Sequence, residues 1–301
     1  VKEQFRYWFG ILRAALDNWV KSHAFIYAGA LAFFTLFSIA PVVILAVHVI
    51  GLVLSTEAAM SRIMGQLEEA IGPEAAEAVE IAVAGTQIDQ SGLLPTLIGV
   101  GAMIIGATTV FAQLQRSLNN IWDVAPRPSR NTIFLLLKSR VLSLTIVLSI
   151  GFILLVSLLL SVVLRAVMVF ASDWLPMPGF LMVGAEALVS ISVITLLFAT
   201  IFRVLPDVAL TWKDVMLGAL ITALLFTLGR FLIAMYLAQT ATASTYGAAG
   251  SLVLLLLWVH YSSLILLFGA AFTRAHAEAR GVEIRPRNTA VCVRKMLVED
   301  K

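Results

Sequence analysis

The chain has 301 residues, of which 60% are hydrophobic and 13% charged, with a mean hydropathy of +0.96. A soluble domain usually carries about 25% charged residues, so this composition excludes a soluble globular fold and leaves a polytopic membrane protein whose apolar surface is covered by lipid. One cysteine, Cys292, excludes an intramolecular disulfide and any multi-cysteine metal site, and a pI of about 9.2 makes the placement of the basic residues the next question.

In residues 1–23, Phe5, Trp8, Phe9, Leu12, Leu16 and Trp19 recur at helical spacing between flanking Lys and Arg residues. That pattern predicts an amphipathic helix lying on the cytoplasmic leaflet, where anionic headgroups meet the basic side chains. It does not read as a signal peptide, because the apolar run follows Ala30-Leu31-Ala32 instead of preceding it.

Six apolar stretches follow, at about 24–54, 93–113, 141–164, 180–203, 215–238 and 247–273. A bilayer core of ~30 Å needs about 20 helical residues, so each is long enough to span. The expected fold is all-α, with a six-span membrane domain over 24–280. In the first span Pro41 follows Ser38 at mid-membrane. The pair is a candidate hinge or a static kink, since proline frees a carbonyl that a hydroxyl can occupy.

The connection 55–92 carries Glu57, Glu68, Glu69, Glu74, Glu77, Glu80 and Asp89 against Arg62 alone. Apolar residues at helical spacing, broken at Gly72-Pro73, predict two short amphipathic helices over 56–91, lying on the outer face. Asn119, Asn120 and Trp122 read as a helix end at the cytoplasmic interface. Pro126–Pro128 is a turn, and Arg203 to Asp207 a helix stop. Tyr246, Gly247 and Gly250 open the last span with small residues, suited to close helix packing or to a gate. Residues 281–301 form a basic cytoplasmic tail, expected to be mobile.

The charges orient these spans. Eighteen of the 21 basic residues fall in the N-terminal segment, the 114–140 and 203–214 connections and the tail, which share one side of a six-span protein. Cytoplasmic loops retain Lys and Arg, so both termini are expected in the cytoplasm and the chain in a bacterial inner membrane. No basic stripe with aromatic or motif support suggests nucleic acid as a partner.

Depth then follows from a rise of ~1.5 Å per residue. Arg230 lies ~12 Å inside the outer end of the fifth span, Glu186 ~9 Å inside the fourth and His48 ~9 Å inside the first. Arg165 caps the outer end of the third. A charge in the membrane interior costs about 2.5–3.5 kcal/mol on insertion scales, so such groups turn inward and find partners. Glu186 and Arg230 are expected to pair or to line an outward-open polar cavity, with Ser190 one turn further along the same helix. Two readings compete: a purely structural pair, and an Arg230 that snorkels to the headgroups beside a protonated Glu186. His48 and His260 read as interior packing histidines ahead of proton carriers.

GALAFFTLFSIAP (29–41), SLNNIWDV (117–124), FRVLPD (202–207) and STYGAAGSLVLLLLWVHYSSLILLFGAAFTRAHA (244–277), with the six-span layout, resemble the YihY/BrkB family of bacterial inner-membrane proteins. The resemblance covers residues ~20–280, most specifically in the last block. It implies an envelope or serum-resistance factor or a transporter. An older label for some members is a transfer-RNA-processing ribonuclease. The family commonly has glutamate where this chain has Ala271, and an aromatic residue where it has His260.

The residues do not support the ribonuclease label. The histidines at 23, 48, 260 and 276 share no motif, and there is no paired-carboxylate site, P-loop or nucleophile elbow. No catalytic residue, metal or cofactor is expected. The favoured function is transport or export of an envelope component, plausibly an amphipathic lipid or lipid-linked precursor. The alternative is a non-transporting scaffold that acts through its acidic cap and basic tail.

Overall fold

The computed structural model describes residues 2–51, 55–71, 73–84, 93–127, 179–239 and 248–293. The chain is mostly helical. Its described helices are α1 (Lys2–Lys21), α2 (Ala24–Gly51), α3 (Thr56–Ile71), α4 (Pro73–Ala84), α5 (Leu93–Ile121), α6 (Gly179–Val204), α7 (Trp212–Gln239) and α8 (Ala248–Ala279). Among the described residues four segments are long and apolar enough to cross a bilayer: Ala24–Ile44, Ala187–Val204, Trp212–Ile233 and Leu252–Ala279. The expected second span falls on α5, and the expected third span lies outside the described residues.

α1 turns one narrow face to the protein. Ile11 and Ala15 are buried against Phe272 and Ala275 of α8, while Phe5, Phe9, Leu12 and Leu16 stay exposed. The helix closes where His23 takes a left-handed conformation, φ 54°, and α2 begins at the next residue. Pro41 sits inside α2 without interrupting it. Its ring lies against α5 at Gly106, where a Cβ would come within 2.9 Å of Pro41 Cγ.

α8 is the central helix and touches α1, α2, α4, α5 and α7. Between helices that both lie in lipid, removal from water supplies no attraction, so close approach must come from small residues and packing. The α7–α8 crossing meets that demand. Gly218 and Thr222 on α7 face Gly269 and Thr273 on α8, and each threonine side chain fills the space above the opposite glycine, where a Cβ would overlap it. Each hydroxyl bonds a carbonyl of its own helix: Thr222 Oγ1 donates to Gly218 O at 2.6 Å and Thr273 Oγ1 to Gly269 O at 2.7 Å. Both threonines are fully buried with their polar atoms satisfied.

Two cores result. One joins the start of α2, the end of α5, the end of α6 and the start of α7 to the last turns of α8, around Trp122, Phe202 and Leu267. This is the end of the bundle that carries the described termini. The other lies toward the opposite end and buries the apolar faces of α3 and α4, through Ala59, Ala76, Val79 and Val83, against α2 and α8. α3 ends at Ile71 and α4 begins at Pro73, and the pair packs against α2 and α8.

An all-α expectation omits one element. β1 (Val124–Pro126) pairs antiparallel with β2 (Ala290–Cys292). Residues 282–293 are therefore a strap and not a free tail. Ala209 N donates to Arg285 O, Arg127 N to Thr289 O and Val293 N to Asp123 O, each at 2.8–2.9 Å. The sequence hides this because each strand is three residues long and its partner lies in another part of the chain.

Candidate functional site

Of the expected site residues, Arg165 of the polar layer and Tyr246 and Gly247 of the helix-packing or gate segment lie outside the described residues. His48 on α2, Glu186 on α6 and Gly250 in the first turn of α8 are described by their backbone alone. Ser190 is exposed on α6, Arg230 is half-buried on α7, and Ser38 is buried on α2 at 2% exposure. His260 is half-buried on α8. Beside Arg230, Gly229 leaves room for the Tyr261 ring of α8, which a Cβ there would overlap.

The α6–α7 hairpin sets the relative height of these groups. Glu186 lies 18 residues before Val204 and Arg230 lies 18 residues after Trp212, so both are roughly 27 Å from their shared turn. The rings of Phe198 and Phe226 meet at 5.7 Å, which requires α7 to be shifted toward the turn. With Phe226 beside Phe198, Arg230 four residues further on falls level with about Ile194, roughly 12 Å or two helical turns from Glu186. Near the turn Phe198, Ala199, Phe202, Val215, Ala219 and Ala223 are buried on the inner face, while Met216, Leu220 and Leu224 point outward at 46%, 38% and 48% exposure. At the far end Leu188, Leu228 and Phe231 are 69%, 56% and 65% exposed.

The opposite end holds a polar hub that local sequence reading resolves only into separate helix ends. Asp207 is 8% exposed and accepts from Asn119 Nδ2 at 2.8 Å and from Gln115 Nε2 at 3.3 Å. Its backbone N–H returns a bond to Asn119 Oδ1 at 2.8 Å. Arg287, from the strap, donates its backbone N–H to Asp207 O, and its guanidinium bonds the carbonyls of Arg203 and Val204 at the end of α6. That places a cation on the negative end of the helix dipole and satisfies two orphan carbonyls.

A second clamp closes α5. Asp123 ends it in the left-handed conformation, φ 49°, and pairs with Arg274 at 2.7 Å. Arg274 also bonds Ile121 O and, at 2.7 Å, Glu278. Asn120 Nδ2 bonds Ser22 O at 2.7 Å, which ties α5 to the α1–α2 turn. Asp214 and Arg280 pair at 3.6 Å, and His276 stacks on Trp8 of α1 at 5.9 Å. The hub ties the described helix ends together through interlocked ionic and amide contacts. Among the described residues no group of three or more His, Cys, Asp or Glu side chains could hold a metal ion.

Ala271, where the resembling family commonly has glutamate, is fully buried in the apolar core, so no carboxylate stands at that point of α8.

The chain is similar to a UPF0761 membrane protein of Psychromonas ingrahamii, 28% identical over 91% of this chain and 88% of the relative. It is also similar to a UPF0761 membrane protein of Mannheimia succiniciproducens, 27% identical over 84% of each. A third relative, the putative ribonuclease-like protein YfkH of Bacillus subtilis, is 29% identical over 79% of this chain and 85% of its own. No solved structure matches the chain. The family description Virulence factor BrkB matches residues 15–291, from α1 to the pairing strand β2, and the chain belongs to that family of membrane proteins.

Proposed function

We propose that this protein moves an amphipathic envelope component, of lipid or lipid-linked chemistry, through a polar cavity that opens at the end of the bundle away from the termini. The supporting observation is the α6–α7 hairpin: close-packed at the hub and more exposed at the far end, where a half-buried Arg230 lies about two helical turns from Glu186. A guanidinium in that position suits an anionic headgroup. The exposed apolar flanks suit acyl chains. His48, Arg165 and Ser190 complete the proposed layer, Ser38 and Pro41 its hinge, and Tyr246, Gly247 and Gly250 its gate.

In this reading six spans cross the inner membrane and the hub, with both termini, faces the cytoplasm. The excess of Lys and Arg at that end supports the orientation. Basic segments there meet anionic lipid, and movement is passive or gradient-driven, since no nucleotide motif is present. A ribonuclease role, suggested by the name of one relative, finds no support in a site: His260 and His276 lie 16 residues apart on α8, and among the described residues no histidine shares a ligand set with another.

The test is reconstitution in phosphatidylethanolamine/phosphatidylglycerol liposomes, with fluorescent phosphatidylglycerol as probe and dithionite quenching as readout. The native chain accelerates leaflet exchange, and Arg230→Gln and Glu186→Gln each slow it about tenfold with unchanged melting. Native rates in both variants, or a native chain no faster than protein-free liposomes, sink the proposal.

A scaffold is the second reading, and one observation favours it. An open groove of about 720 Å³ on the α3–α4 pair is lined by Glu57, Glu68 and Glu80 beside Met60 and Met64, a surface fit for a basic amphipathic partner. Deleting residues 56–91 would abolish a scaffold's function outright but only alter a transporter's rate.

A further inference from the structure

Ile11, Ala15 and the Trp19 Nε1 bond to Leu264 O hold the C-terminal half of α1 against α8. Toward its N-terminus the helix stands off. Every residue from Phe5 to Gly10 is exposed, although Trp8 still stacks on His276. Between this half and the end of α8 runs a cleft of about 400 Å³. Its depth comes from small residues, Gly10 and Ala14 on one wall and Ala275 and Ala279 on the other.

The charge in the cleft is distributed unevenly. Glu278 on its wall is held by Arg274 Nε at 2.7 Å. Arg280 is paired with Asp214, Arg285 with Glu283, and Arg287 with the carbonyls of α6. Arg6 lines the cleft beside Tyr7 and has no ion-pair or hydrogen-bond partner among the described residues. Next to it, Phe5 and Phe9 are 70% and 59% exposed, an aromatic face of the kind that sits among headgroups and upper acyl carbons.

We propose that this cleft binds one anionic phospholipid, its phosphate held by Arg6 and Tyr7 and its glycerol backbone laid over Gly10, Ala14, Ala275 and Ala279. The proposal rests on the reading that this end of the bundle meets a lipid leaflet, and it adds a discrete site to the general attraction of basic segments. Charge complementarity selects an anionic over a zwitterionic headgroup. The small residues admit the glycerol that a bulkier pair of helices would exclude. A bound lipid would bridge α1 and α8 where protein contacts end.

The experiment is native mass spectrometry of the purified full chain, delipidated and titrated with phosphatidylglycerol or with phosphatidylcholine of identical acyl chains. The native protein retains one phosphatidylglycerol and binds phosphatidylcholine about tenfold more weakly. Arg6→Gln weakens phosphatidylglycerol about tenfold. Gly10→Leu fills the cleft with the cation still present and weakens both lipids by a similar factor. Its fold is kept, because a Cβ at Gly10 meets nothing within 4 Å. Arg13→Gln, also exposed on α1 but off the cleft, stays within about twofold of native.

Equal losses in Arg13→Gln and Arg6→Gln would reduce the effect to diffuse electrostatics. Unchanged binding in Gly10→Leu would remove the cleft. Displacement of the lipid by inorganic phosphate would make this a phosphate site. Each overturns the proposal. Lipid occupancy is read without transport, so a failure of the liposome exchange assay and a failure of this site are told apart.

Discussion

Asn119 and Asp207 hold each other at two points: the amide nitrogen donates to the carboxylate and the amide oxygen accepts the backbone N–H, both at 2.8 Å. The pair joins the end of α5 to the turn after α6 across 88 residues of sequence. Because Asp207 is 8% exposed, the clamp is also what keeps a buried carboxylate satisfied.

Removing the amide should therefore cost more than an ordinary hydrogen bond. Asn119→Ala leaves Asp207 with the longer Gln115 contact and is expected to destabilise the detergent-solubilised protein by about 3 kcal/mol, against about 1 kcal/mol for Gln115→Ala. A double-mutant cycle of Asn119→Ala with Asp207→Ala should give a coupling of about 1.5–3 kcal/mol. Additive losses would show that the contact is incidental to the joint.

The α7–α8 crossing predicts a pattern of rescue. Gly218→Ala drives a methyl into Thr273, and Gly269→Ala one into Thr222, each costing about 1–3 kcal/mol by overpacking. Thr273→Ala should partly restore Gly218→Ala and leave Gly269→Ala unimproved, with Thr222→Ala doing the reverse. Melting temperatures of the four single and four double variants decide it. Rescue that ignores the pairing would mean the threonines act through their own helices alone.

Much of this architecture is legible from spacing. The repeat of Phe5, Phe9, Leu12 and Leu16 marks α1, and Gly72-Pro73 divides α3 from α4 where the helices indeed part. The apolar stretches locate the described long helices but stop short of two polar ends. α5 runs past the apolar run near 113 to Ile121, where Asn119, Asn120 and Trp122 read as a helix end, and α8 continues beyond 273 to Ala279. In both cases polar residues prolong the helix because they find partners: Asn119 in Asp207, Arg274 in Asp123, His276 against Trp8. Those partners lie 88 and 151 residues away for the first two, and no local period encodes them. The proposed cap-end site was suggested by the opposite signal, the cost of an isolated charge in an apolar run. That cost says which residues need partners without saying which partners they have.

Cys292 offers a direct reading of orientation. It is exposed on β2, at the end of the bundle that carries the hub, and it is the chain's single cysteine. In intact spheroplasts a membrane-impermeant maleimide should leave the protein unlabelled, and in inverted vesicles it should label fully. Labelling in spheroplasts would reverse the topology inferred from the basic residues and move the proposed cavity to the cytoplasmic side.

Arg287 is the residue on which the strap depends. Its backbone N–H bonds Asp207 O at 2.8 Å and its guanidinium spans the carbonyls of Arg203 and Val204 at 2.7 and 3.2 Å. Arg287→Ala removes both side-chain bonds and the cation opposite the α6 dipole, an expected loss of about 2 kcal/mol. Arg287→Lys keeps the charge but cannot bridge two acceptors with a planar fork, so it should recover only about half of that loss. Hydrogen exchange locates the effect. The amides of Ala209, Arg127 and Val293 bond across the strap, and in Arg287→Ala they should lose protection together while the α7–α8 crossing keeps its own. If they stay protected, the β1–β2 pairing holds the strap unaided, and the α6 terminus is capped by Arg287 without being fastened by it.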